Sequence, residues 1–136
     1  VLSAQAQERG TWRPVNKTAQ QTTGEITIAA EKMTINFFTF PIAEIRPLTQ
    51  AEIAAAFSDS EAGVGGGHLY RLNIPGDKRF LHKNTLCGAE DTQWMATYYA
   101  GKTLRLALFS DAKPPALTVE GMNDSSTLCG AYAYAR

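Results

Sequence analysis

Long hydrophobic runs are missing from this chain. Nowhere in its 136 residues does an apolar stretch approach the roughly 20 residues that a membrane-crossing helix requires. An excess of charge is missing as well: 13 basic residues face 13 acidic ones, so no whole-molecule field draws the chain to nucleic acid or an anionic membrane. Histidine is scarce, and neither His68 nor His82 stands near a Gly-x-Ser-x-Gly elbow or a His-Glu-x-x-His pair. The run Gly63-Val64-Gly65-Gly66-Gly67 is followed by a strand pattern and no Gly-Lys-Ser/Thr, which leaves a loop in place of a phosphate cradle. Glu90 and Asp91 are adjacent, and successive residues of an extended chain face opposite ways, so they form no working carboxylate pair. Repeats are absent too. The expectation is a chain that does not catalyse and needs neither metal nor cofactor.

Cysteine is limited to Cys87 and Cys129. Neither belongs to a Cys-x-x-Cys pair or lies near a histidine at ligand spacing, which argues against redox exchange and zinc. Two readings stay open, one disulfide or two buried thiols, and an even count in a chain with export features favours the first. Closing a loop of this length stabilises a fold by roughly 4 kcal/mol on the chain-entropy view. Val1-Leu2-Ser3-Ala4-Gln5-Ala6 has the small-residue Ala-x-Ala pattern of a signal-cleavage region. Residues 1–9 are therefore read as a signal remnant or flexible arm and 10–136 as the domain, with a periplasmic or secreted location.

What is present is short and strand-like. An apolar share of 44% suits a single folded domain with a core. Trp12 anchors a first strand that Pro14 should confine to an edge or bulge. Ile26 and Ile28 alternate, and Met33 to Phe40 reads as one strand, covered on both faces over part of its length, until Pro41 interrupts it. Thr49, Glu52, Leu48 and Ile53 combine a capping box with a hydrophobic staple and predict one short helix near 49–57. His68 to Ile74 places Tyr70, Leu72 and Ile74 on one face, and Lys78 to His82 is expected to return as its partner strand. Thr92 to Tyr98 and Lys102 to Phe109 form a hairpin around Tyr99-Ala100-Gly101. The register predicted there pairs Trp94 with Leu106 and Ala96 with Leu104, because it gathers the larger apolar area on one side; a slip of one residue would set Met95 and Thr97 opposite the leucines and turn Trp94 and Tyr98 outward. Lys113-Pro114-Pro115 and Leu117 to Glu120 lead to a polar turn at Gly121 to Ser126, and Thr127 to Tyr134 closes the chain with Leu128, Tyr132 and Tyr134 on one face. The sum is an all-β domain, a single antiparallel barrel of about eight strands with one helix.

Gly10-Thr11-Trp12 at the head of the first strand, the meander of short strands, and a last strand leading to Arg136 resemble the calycin-like barrels, the group that holds lipocalins, lipocalin-like bacterial domains and small barrel inhibitors of bacterial proteases. The resemblance implies that Trp12 packs at the closed end of a barrel beneath Arg136.

Two binding surfaces are expected. Trp94, Tyr98, Tyr132 and Tyr134 could hold a small apolar or aromatic molecule inside the barrel. Arg71, Lys78, Arg79, His82 and Lys83 make the hairpin after the glycine loop basic, against Glu44, Glu52, Asp59 and Glu61 before it, and could engage a secreted or envelope protein. The expected function is an exported binding protein for such a ligand or partner; alternatives are an inhibitor of a secreted hydrolase, a lysozyme or protease, or a weak enzyme using His82.

Overall fold

Alternating strands with one apolar face can remove their edges by closing on themselves, and in the computed structural model, which describes residues 8–58, 60–61 and 63–136, they do. Strands β1 (Gly10–Pro14), β2 (Ile26–Ile28), β3 (Lys32–Ile35), β4 (Phe38–Pro47), β5 (His68–Ile74), β6 (Thr92–Ala100), β7 (Thr103–Phe109) and β8 (Leu128–Ala135) follow one another as an antiparallel closed barrel. Closure falls on β1, which pairs with β2 through Trp12 and Ile26 and with β8 through Arg13 and Ala135. Pro14, the last residue of β1, sits where the strand leaves the ladder, so it needs no open edge.

The barrel interior is occupied by side chains. Trp12, Met33, Met95, Leu104 and Tyr134 are essentially unexposed and belong to one cluster with Ile26, Ile35, Leu106, Leu108 and Tyr132. A second cluster lies outside the barrel wall, where Ile53, Phe57 and Leu117 cover Trp94, Ala96, Tyr98 and Phe109. Ile53 comes from α2 (Gln50–Ala56), which starts as predicted: Thr49 accepts from the Glu52 amide and Glu52 returns to the Thr49 amide. A bidentate pair of 2.8 Å bonds from Arg46 ties the same carboxylate to β4, and this hydrogen bonding holds Glu52 down at about 2 despite the burial that opposes it.

The second cluster explains why the predicted hairpin register is wrong. Trp94 pairs with Phe109, Thr97 with Leu106 and Met95 with Leu108, around a two-residue turn at Gly101 and Lys102. Gly101, at φ +59°, takes the first turn position, which favours glycine. The leucines therefore share the interior with Met95 and Tyr99, while Trp94 and Tyr98 face outward. Counting apolar area on one side decides the register only when the other side is wet, and here β6 is buried on both.

Further expectations are corrected. Met33 to Phe40 is not one strand: the chain reverses at Asn36 and Phe37, Ile35 pairs with Phe38, and Pro41 lies within β4. Lys78 to His82 forms no strand but a loop with a 3-10 turn at Leu81–Lys83, because Phe80 and Leu86 both fold into the interior cluster. The helix near 49–57 is not the only one: α3 (Val119–Asn123) follows Leu117 and is capped by the Thr118 hydroxyl. An unpredicted α1 (Lys17–Thr22) is capped by Asn16, whose side-chain oxygen accepts from Ala19 and from Ala133 of β8. Finally, a bulge where Leu108 faces Gly130 and Phe109 faces Leu128 interrupts the alternation of β8, so Leu128 is partly exposed while Tyr132 and Tyr134 point inward.

Candidate functional site

The barrel has two unlike ends. At the first, where β1 begins, Trp12 is fully buried, its indole N–H donates to the Glu8 carbonyl at 2.9 Å, and the Arg136 guanidinium lies 4.1 Å over its ring. Arg136 also donates to the Arg9 carbonyl. The pairing implied by the calycin resemblance is thus present between these two residues. Of the arm expected at 1–9, residues 1–7 lie outside the described residues; Glu8 is wholly buried.

Its carboxylate organises this closed end. Glu8 Oε1 is 2.5 Å from His68 Nδ1, and Oε2 accepts from the Thr97 hydroxyl, which itself accepts from the His68 amide. The His68 ring stacks on Tyr99 and meets Tyr70 edge-on. Burial alone would lower the His68 pKa; the hydrogen bond and charge of Glu8, with Glu44 4.0 Å from Nε2, outweigh it and raise the value. Burial, then Glu8, push the Tyr70 phenol up. These bonds tie the residue ahead of β1 to β5 and β6, as a strut would. Sequence reading missed it because Glu8 contacts β5 and β6 across some 60 to 89 positions, and spacing along a chain carries no trace of such a contact.

The opposite end carries the staple. Cys87 and Cys129 are joined as a disulfide with Cα atoms 4.9 Å apart, fastening the loop after β5 to the start of β8. Phe80 and Leu86 of that loop plug the barrel mouth, and Asn84 ties it to α1 by donating to the Gln21 carbonyl. Between the two plugs the chain must turn back tightly, which it does through His82 and Lys83 at φ +55° and +62°.

Beside this loop stands the β3–β4 turn. Asn36 and Phe37 have φ +56° and +96°, the double left-handed arrangement that hairpin turns normally give to Asn-Gly. Asparagine tolerates it, whereas a bulky residue there is an outlier costing on the order of 1–3 kcal/mol. The Phe37 ring returns nothing to the fold, since the residue is 96% exposed. Its neighbour Phe38 lies under the Lys78 ammonium, 4.1 Å away, and edge-on to Phe80. A cleft of about 350 Å³ opens between the turn and the corner after α1, lined by Thr23, Glu25, Thr34, Phe37 and Leu81 among others. The Asn36 identity was the available signal for this turn; the alternation of Met33, Ile35 and Phe37 concealed it.

The expected site residues distribute as follows. Lys78, Arg79, His82 and Lys83 share the stapled loop, with Arg79 donating to the Lys83 carbonyl and His82 exposed. Arg71 is apart from them on β5, its guanidinium 5.0 Å over Trp94 and bonded to Gln93 and the Ala112 carbonyl. The aromatic quartet is divided by the barrel wall: Tyr132 and Tyr134 lie in the interior cluster, Trp94 and Tyr98 in the outer one. Burial raises the Tyr132 phenol to about 12, and Tyr134 is bonded to Thr23 at 2.7 Å. Of the acidic residues before the glycine loop, Asp59 lies outside the described residues. Among the described residues no three His, Cys, Asp or Glu side chains are grouped to hold a metal ion, and no helix is long and apolar enough to cross a membrane.

Fold and geometry define a closed, eight-stranded antiparallel barrel, disulfide-linked and mostly sheet. In comparisons with known proteins, no family model, curated protein or solved structure matches this chain.

Proposed function

We propose that this is an exported, non-catalytic binding protein that takes a macromolecular partner on its outer surface. The observation carrying this reading is the filled interior: Trp12, Met33, Met95, Leu104 and Tyr134 occupy the space a hollow barrel of this size would offer a small ligand. The disulfide between distant segments suits an oxidising compartment. Relatedness to calycin-like inhibitor barrels, suggested by the Trp12 and Arg136 pair, is part of the same proposal, and inhibition of a secreted hydrolase is the form of partner binding it favours.

Native mass spectrometry of protein purified from its own host tests the choice between interior and surface. The expected result is the mass of the bare oxidised polypeptide, with larger species that are protein complexes. A retained small molecule, displaced when Leu106→Trp overfills the barrel, overturns the surface reading.

A further inference from the structure

We propose that the rim made by the Asn36–Phe37 turn and the Lys78–Lys83 loop is the contact face, and that it fits a protein partner offering an apolar pocket with carboxylates around it. The inference rests on the surface-binding reading above and names the surface. Phe37 is the most exposed of the large apolar side chains described, held outward by a backbone conformation that a glycine would adopt without strain. A large aromatic that is exposed, and carried on a turn fixed between two paired strands, has the form of an interface anchor. The adjoining loop, whose Lys78 lies over Phe38 and whose Leu81 lines a cleft with Phe37, carries the exposed Arg79 and Lys83, held by the second left-handed turn and by the loop's attachment to α1. Such charges steer and select an acidic rim.

The cleft beside Phe37 distinguishes a protein from a lipid surface. It is concave, so a knob and a hole stand next to each other, and Glu25 lines it. A flat bilayer would leave the hole unfilled, whereas a folded partner can fill it with a side chain, and with one that donates to Glu25.

Site-specific photo-crosslinking tests the assignment in the full chain. p-Benzoylphenylalanine replaces Phe37, and in separate proteins Val64 or Val119, both exposed on other faces; each is irradiated with the envelope and secreted proteins of the source cell. The expected result is a discrete protein adduct from position 37, with Asp or Glu in the crosslinked peptide. Its yield falls about tenfold when Arg79→Glu and Lys83→Glu are combined, and falls as salt is raised. Adducts from position 64 or 119 but not 37 overturn this face and leave the surface reading standing; adducts from none overturn both. An adduct insensitive to the charge reversals overturns the acidic-rim chemistry. Crosslinking at position 37 to vesicles of phosphatidylglycerol and phosphatidylcholine, in place of protein, overturns the protein partner. All substituted positions are exposed, and circular dichroism confirms that each variant folds.

Discussion

At the closed end no buried side-chain nitrogen or oxygen of the described residues lacks a partner: Glu8 holds His68 and Thr97, its carbonyl takes the Trp12 N–H, and Arg136 covers the indole. At the stapled end, four residues other than glycine adopt positive φ and a phenylalanine faces solvent. One end spends its polar contacts on cohesion. The other keeps strain and exposed apolar surface, and is held in shape by the disulfide and two plugging side chains. Strain and exposed aromatic surface are therefore concentrated at one end of the molecule, the end proposed above as the contact face.

Removing the staple should have the largest effect. Replacing Cys87 and Cys129 together by serine lowers unfolding free energy by up to about 4 kcal/mol, as expected from the loop the bond closes. The more discriminating measurement is amide hydrogen exchange. Protection should fall first in the 75–91 loop and at the start of β8, with the amides around Trp12 and His68 following later. Uniform loss along the barrel would mean that the two ends are not separate.

The reverse experiment attacks the closed end. Glu8→Ala leaves the buried His68 ring without its acceptor and the Thr97 hydroxyl with only the His68 carbonyl at 3.3 Å, and should cost about 3 kcal/mol in urea denaturation, toward the low side for a broken buried pair because His68 can shed its proton. Glu8→Gln, which keeps an acceptor, should cost less. A change in Glu8→Ala of under about 0.5 kcal/mol, the range of an ordinary surface substitution, would show that the strut is idle.

The unequal legibility of these two ends follows from what sequence patterns encode. Local signals were sound: the Thr49 capping box begins α2, Tyr70, Leu72 and Ile74 share the inward face of β5, and the two cysteines are joined. Where a rule assumed one buried face it failed, as with Trp94 and Tyr98, because the helix and loops covering β6 are supplied by distant segments. Phe37 was hidden by a two-residue reversal that preserves apparent alternation on either side. Glu8 could not be found at all: a lone carboxylate ahead of the first strand carries no pattern, and only the approach of His68 and Thr97 makes it structural.

Raising pH should loosen the closed end more gently, because it removes a proton from His68 and no side chain. The folded-state pKa of His68 lies above its ordinary value of 6.5. Its protonated form therefore adds stability that is fully present below about pH 6.5 and is lost as pH climbs through the raised value. The groups facing it are Glu8, Glu44, Tyr70 and Tyr99. The midpoint of urea unfolding should decline over that alkaline step in the native protein, and Glu8→Gln should flatten the decline. A native profile flat from pH 6 upward would detach His68 from the strut.

Phe37→Gly should give the smallest change, and one of opposite sign. Glycine relieves the left-handed strain at φ +96°, while its greater freedom in the unfolded chain takes back about 0.5–1 kcal/mol, so a net stabilisation of about 1 kcal/mol is expected. It should appear as a higher urea midpoint with an unchanged m-value. At the closed end the same kind of truncation can only lose, since Trp12→Gly would empty a fully buried site. A gain at position 37 would mean that the phenylalanine is carried against the interest of folding, as a group kept for contact with another molecule should be. A loss there would mean that the ring supports the barrel after all, and the contrast between the two ends would narrow to the disulfide alone.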